Sequence, residues 1–375
     1  MIVDPFAILT KRIGYRSLGF LAVLAAYTVF LLFVFFYGVK PSLAADTTNQ
    51  DFAVDSTVYM ELADSLKNGT IDPIEAQELL SFPNTVIAPV SIYLVLNNPF
   101  SVLMFNCAIF CISLILLSQT FSIPMHRFMF LLLLNPTTTT SLLCLNKEII
   151  DIFIISLFLY STKHNRRALT IASLIISFLN RYEICVVFLV CIFVQTRFNP
   201  LRKHRFLVLF VLVSLLTITM PFFASSMLSH RFQEAKYGGA VAVLDNLQIH
   251  YLYIVAVIPK IAENLFGQLV NPAVWNTSGA PQADNAPWLY NMLFNNLASL
   301  ILVFILLGKR MLRLRYDLVY CSAIGAVLVA QSLAIQPRYF YFIYVLLCLQ
   351  AAHPATKRAG CVPVLNLGSA EVANA

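Results

Sequence analysis

Charge is what this chain has least of. Asp, Glu, Lys and Arg make up only 11% of its 375 residues, where soluble domains carry roughly 25%. With 59% of residues hydrophobic, there is too little polar side chain to cover a water-soluble surface. Short, strictly alternating segments are missing as well, and with them the signature of a transmembrane β-barrel. The eight cysteines (Cys107, Cys111, Cys144, Cys185, Cys191, Cys321, Cys348, Cys361) show no CxxC and no Cys/His spacing. They imply no metal centre and fall mostly inside apolar tracts, as small core residues do. No glycine-rich phosphate loop and no internal repeat is present. The net charge of +7 calls for no nucleic acid, because the basic residues gather in short segments between apolar tracts, as membrane topology requires.

What is present is apolar sequence in recurring tracts, the pattern of an all-α, polytopic integral membrane protein. The first tract, Leu18 to Val39, follows Lys11, Arg12 and Arg16. No small-x-small cleavage site follows directly, Ala44–Ala45 being a weak candidate, so it reads as a retained span. Basic loops belong on the cytoplasmic side. The segment Lys40 to Thr85 sets Asp46, Asp51, Asp55, Glu61, Asp64, Asp72, Glu75 and Glu78 against Lys40 and Lys67, and is expected outside. Alternation then places spans at Phe100–Phe121, Phe128–Leu143, Ile149–Tyr160, Ala168–Leu179, Ile184–Val194 and Phe206–Phe223. Three more follow at Leu289–Leu307, Leu318–Ile335 and Phe340–Ala351. The expectation is about ten transmembrane helices, both termini cytoplasmic. They form one transmembrane domain, residues 1–352, with outer loops at about 40–85 and 224–288 and a short cytoplasmic tail at 353–375.

The stretch LLCLNKEIIDIFIISLF breaks this apolar background. Lys147, Glu148 and Asp151 fall within five residues, and ionisable groups at membrane depth are functional candidates by default. Asn146 is placed to cap a helix there, with Glu148 in its first turn favouring the dipole. Lys147 and Asp151, four apart, are spaced to pair. Topology puts Lys147 and Glu148 at the outer end of a span. Arg181–Tyr182–Glu183 and Arg338–Tyr339 fall at outer ends too, and the acidic first loop shares that face. In the loop, Asp51, Asp55, Tyr59 and Ala63 recur every four residues as one stripe of a helix, beside the apolar stripe Val54, Val58, Leu62 and Leu66. Such a helix lies on the membrane surface and presents two carboxylates at headgroup level. Plain structural roles exist for each cluster: a solvated acidic helix, a capped helix end, a polar hairpin, an aromatic belt with a snorkelling Arg. The functional reading of Arg338 is a phosphate clamp, since guanidinium bonds phosphate in a fork. In the second outer loop, Leu244 to Phe266 is apolar enough to lie along the membrane.

Asp55-x-x-x-Tyr59-x-x-x-Ala63, then Pro89, Asn97–Asn98–Pro99, Asn135–Pro136 leading to Lys147–Glu148, and a late Arg338–Tyr339 together form a pattern. It resembles the polytopic membrane glycosyltransferases of the GT-C superfamily, and among them bacterial polysaccharide- and O-antigen-assembly members. The resemblance implies transfer of a sugar or glycan at the periplasmic face from a polyprenyl-phosphate or polyprenyl-diphosphate donor to a glycan or lipid acceptor. Membrane lipids and other polysaccharide-assembly proteins are the implied partners. It also implies a first-loop carboxylate as base, Asp55 first and Asp51 second, and a cation near the lipid phosphate, Arg338 or Arg181. Glu148 is a third candidate carboxylate, and Lys147, Tyr59, Tyr339 and Glu183 complete the expected substrate-binding set. Some relatives use a divalent metal; no ligand set for one is legible, and no other cofactor is implied. Transfer to a hydroxyl needs a base for its proton and a cation for the departing phosphate. A polymerase joining lipid-linked repeat units is a close variant. A lipid-glycan flippase would instead carry mid-span charge, paired repeats and broken helices, and an accessory subunit would need no convergent charge.

Overall fold

A computed structural model describes residues 15–41, 54–70, 86–196, 199–201, 203–231, 239–270, 286–331 and 337–353. These residues form fifteen α-helices and no strand. Helices long and apolar enough to cross a membrane cover Phe20–Val39, Pro99–Thr120, Tyr253–Val270 and Asn291–Gly308, and six shorter apolar helices accompany them. The chain therefore has the all-helical, apolar make-up of a membrane protein.

Helix α1 (Tyr15–Val34) continues into a π-helical turn, Phe35–Val39. Phe33 and Tyr37 on this segment are exposed, as suits a helix that faces lipid. Helix α2 (Val54–Asn68) lies in the acidic first loop, and α3 (Ile87–Leu96) follows. Helix α3 stops at Asn97, which takes the left-handed φ of 48°. Helix α4 (Pro99–Thr120) then starts cleanly: Asn98 accepts from the Phe100 amide at 2.8 Å, and Pro99 takes a first-turn position that needs no N–H.

The tract expected as one span over Phe128–Leu143 is two helices, α5 (Met125–Leu133) and α6 (Pro136–Leu143). Pro136 disfavours helix at Asn135 and donates no hydrogen bond itself. Asn135 turns this break into a cap by accepting from the Thr137 amide at 3.0 Å. Thr138 Oγ1 donates to the freed Leu132 carbonyl at 2.6 Å. Helices α7 (Lys147–Lys163), α8 (Arg167–Asn180), α9 (Tyr182–Gln195) and α10 (Arg205–Arg231) come next. Helix α10 runs past the expected end at Phe223.

The expected second outer loop is largely helical where it is described. It contains α11 (Gly239–Ile249) and the membrane-length α12 (Tyr253–Val270), separated by Tyr251 at φ 61°. Pro259 and Lys260 interrupt the apolar run of α12, which is why the sequence reads it as lying along the membrane within a loop. In the fold Lys260 is 0% exposed and donates to Gln248 Oε1 on α11. Gln248 in turn donates to the Gln331 carbonyl at 2.5 Å. Asn296 donates to the Asn264 carbonyl at 3.0 Å, so side-chain amides bridge α12 to its neighbour, the way polar groups join helices in an apolar setting. That neighbour is α13 (Ala286–Gly308), followed by α14 (Asp317–Val329), a 3-10 turn Pro337–Phe340, and α15 (Tyr341–Ala352). Every residue of α15 is buried. It forms the centre of the bundle, against α5, α7, α13 and α14.

Cross-contacts fix the helix directions. Helices α4 and α7 run parallel, because Asn106 reaches Cys144 near one end while Lys163 donates to the Thr120 carbonyl at the other. Helix α8 is antiparallel to α7: Asn180 reaches Lys147 and Thr170 reaches Ser161. The end of α15 meets the ends of α4 and α13 through Phe121–His353 ring packing and a Lys309–Ala351 hydrogen bond. One end of the bundle thus gathers residues 146–148, 180–183 and 338–339. The other gathers Thr120, Lys163, Lys309 and His353, with the Arg205–Asp317 ion pair joining α10 and α14 there.

Candidate functional site

The site is built around the sharp junction between α6 and α7. Asn106 on α4 places one amide nitrogen against three carbonyls, Ser141 and Leu142 at 3.2 Å and Cys144 at 2.9 Å. These are the C-terminal carbonyls that α6 itself leaves unpaired. The chain is then extended until Asn146, whose side chain accepts from the Lys147 amide at 2.8 Å and starts α7 as its spacing predicts. Between them the Leu145 amide donates to Ser56 Oγ of α2 at 3.1 Å, so the first-loop helix is tied to the junction.

Glu148 and Asp151 sit three apart on one face of α7, both 0% exposed. Two carboxylates so placed repel unless a cation lies between them. The cation is Arg181, from the extended residue that links α8 to α9. Its Nη2 donates to Glu148 Oε1 at 2.5 Å and its Nε lies 3.3 Å from Asp151 Oδ2. Asn180 completes the cluster, donating to Asp151 Oδ1 at 2.7 Å and to the Lys147 carbonyl at 3.1 Å. Lys147 is therefore not what Asp151 pairs with here: its ammonium stands 5.9 Å from the Tyr59 ring centre. The reason is geometric. Asp151 points toward the end of α8, where Asn180 donates to it and Arg181 lies within ion-pair range, while Lys147 turns to the α2 side.

Arg181 is 9% exposed and its guanidinium lies 5.5 Å from the Tyr339 ring centre, with Arg338 5.7 Å from the same ring. Both distances are within the ~6 Å over which a ring face attracts a cation. Lys147, Arg181 and Arg338, from three separated segments, thus share one end of the bundle with Tyr59, Tyr339 and the half-buried Glu183. Glu148 Oε2 and Asn180 Oδ1 are buried acceptors without a hydrogen-bond partner among the described residues.

Helix α2 docks differently from its sequence stripe. Ser56, Tyr59 and Ala63 are buried against Val90, Tyr93, Val102 and Leu145, whereas Val58 is 50% exposed. The apolar neighbours supplied by α3 and α4 select the Tyr59 face, so the helix packs on protein. Asp55 lies in the first turn of α2, its side chain outside the described residues, and Asp51 lies outside them altogether.

Sequence spacing singled out Lys147, Glu148, Arg181, Glu183, Arg338, Tyr339 and Tyr59, and all of these lie at this end. It did not find the roles of Asn106, Asn180 or Ser56. Their only signal was polarity within or beside apolar tracts. Among the described residues no group of three or more His, Cys, Asp or Glu side chains is arranged to hold a metal ion. Comparison with known proteins returned no match to a family model, a curated protein or a solved structure.

Proposed function

We propose that this chain is a membrane glycosyltransferase, moving a sugar or glycan from a polyprenyl-(di)phosphate donor to an acceptor on the outer face of a bacterial inner membrane. The observation that carries the reading is Arg181, pinned by two buried carboxylates with its guanidinium beside Tyr339 and Arg338. A guanidinium held this way loses little freedom when it binds an oxyanion, which is the condition for stabilising a departing phosphate. Arg181 and Arg338 form the phosphate clamp, with Lys147 as a third cation. The Tyr59 ring faces Lys147, and the Tyr339 ring faces both arginines. Glu148 and Asp151, wholly buried, are positioning residues for Arg181. Asp55 on α2 is the base and Asp51 the second candidate.

In the reaction an acceptor hydroxyl gives its proton to the Asp55 carboxylate as its oxygen bonds the anomeric carbon. The anomeric C–O bond to the (di)phosphate breaks, and its electron pair leaves with the phosphate, against the arginines. Orientation follows from charge: Arg127, Lys163, Arg166, Arg167, Lys309, Arg310 and Arg313 all belong to the opposite end, which the positive-inside bias assigns to the cytoplasm. With a glycan acceptor the same chemistry makes the chain a polymerase.

The test is complementation in cells lacking the wild-type copy, with transfer from lipid-linked donor measured in isolated membranes. Asp55→Asn lowers transfer by roughly 10²–10⁴-fold, the usual loss for a general base. Arg181→Lys and Arg338→Gln weaken donor use. Wild-type transfer by all three variants, at normal protein levels, overturns the reading.

A flippase reading draws on the broken α5–α6 span and, separately, on the buried Lys260 within α12, since interrupted helices and mid-span charge accompany transport. Donor crossing into proteoliposomes without any transfer would favour it.

A further inference from the structure

The end of the bundle opposite the arginine site holds a second concentration of charge, of one sign. Lys163, from the end of α7, donates to the last carbonyl of α4, that of Thr120. The next residue, Phe121, packs edge-on against the His353 ring with 5.8 Å between centres. Two residues before His353, the Ala351 carbonyl accepts from Lys309 at 2.5 Å. Lys163, His353 and Lys309 therefore surround one spot where α4, α7, α13 and α15 end. Burial, and then the Arg127 guanidinium on α5, push the Lys309 ammonium toward its neutral form.

Carbonyls at the helix ends account for one donor on each lysine, and an ammonium has three. No ion pair to Arg127, Lys163, Lys309 or His353 occurs among the described residues. Like charges held together without a carboxylate repel one another, so an anion that joins them is stabilised by all at once. Apolar surface continues directly from the charges. Phe130 is exposed three residues along α5 from Arg127, and Phe304 and Leu307 are exposed in the last turns of α13 before Lys309. A cationic spot with exposed aromatic and aliphatic groups beside it matches an amphiphile.

We propose that the joined ends of α4, α7, α13 and α15 seat the phosphate of an anionic phospholipid headgroup, bound by Lys163, Lys309 and Arg127. The acyl chains lie along Phe130, Phe304 and Leu307. The exposed apolar flank selects a lipid over a soluble anion, and the unopposed positive charge selects an anionic lipid over a zwitterionic one.

Native mass spectrometry of the purified protein tests this, with phosphatidylglycerol, phosphatidylcholine of the same chains, and inorganic phosphate as separate ligands. Wild type retains phosphatidylglycerol over phosphatidylcholine. Lys163→Gln and Lys309→Gln each lower that preference roughly fivefold, as expected near an anionic surface, while the arginine variants Lys163→Arg and Lys309→Arg keep it. If the glutamine variants fail to fold, Arg127→Gln, at an exposed residue, reads the same ratio. Equal retention of the two lipids by wild type overturns the proposal, as does an unchanged ratio in the folded variants. Competition by inorganic phosphate at millimolar concentration also overturns it, by making the site one for soluble anions.

Discussion

Arg181 donates to Glu148 across 33 positions of sequence, and this one bond ties the α8–α9 link to the first turn of α7. With Asp151 on the second side of the guanidinium, the link cannot move without separating buried charges.

Removing the arginine alone should be the most damaging single change at this end. Arg181→Met leaves two buried carboxylates facing each other, and orphaning one member of a buried pair costs about 3–5 kcal/mol. The triple variant Glu148→Gln, Asp151→Asn, Arg181→Met removes all three charges and should recover much of the loss. Unfolding in mild detergent, followed for all three states of the cluster, checks the order wild type, triple, single.

Asn106→Ala should act on the site without touching it. The amide satisfies carbonyls of Ser141, Leu142 and Cys144, and its loss leaves them unpaired, at about 1–3 kcal/mol. Proteolysis at the α6–α7 junction should rise. Unchanged protection would mean that other groups hold the junction.

Tyr339 separates two roles. Tyr339→Phe keeps the ring beside Arg181 and Arg338 and should retain transfer. Tyr339→Ala removes an attraction worth about 0.5–2 kcal/mol and should raise the donor concentration needed. Equal effects of both variants would point to the hydroxyl instead.

Accessible cysteines test the orientation. Lys67→Cys at the exposed end of α2 and Arg310→Cys at the exposed turn after α13 should label from opposite sides. A membrane-impermeant reagent is expected to reach the first in intact cells and the second only after permeabilisation. The reverse pattern would invert the topology.

His353 supplies a pH dependence. Burial, with the Lys163 and Lys309 ammoniums nearby, holds its imidazole below the usual value of 6.5. The unfolded chain then binds the proton more readily, so stability is full above that usual value and falls as pH drops through it. His353→Gln should flatten the fall in thermal stability between about pH 8 and about pH 5.

The helix in the acidic first loop was legible from its four-residue recurrence, and so was the cap at Asn146. The pairing of Asp151 was not. Spacing along one helix offers Lys147, but the Asn180 amide and the Arg181 guanidinium, from the end of α8 and the link after it, lie closer to the side chain. Likewise the period of α2 marks a helix without saying which face is covered, because Val90, Tyr93 and Val102 come from elsewhere in the chain. The tract of α12 was legible as apolar sequence along the membrane, but not as a membrane-length helix: its sequence does not show the Gln248 partner that makes Lys260 tolerable when buried.

Composition and period by themselves determined that this chain is apolar and helical, and that its basic residues gather between apolar tracts. Those properties are local: they follow from how few groups can leave water and from backbone bonds made within each helix. Tertiary structure alone decided which charges meet. The Glu148–Arg181–Asp151 contact, the three carbonyls gathered by Asn106, and the ring shared by Arg181 and Arg338 depend on distances between helices, which no spacing along the chain encodes.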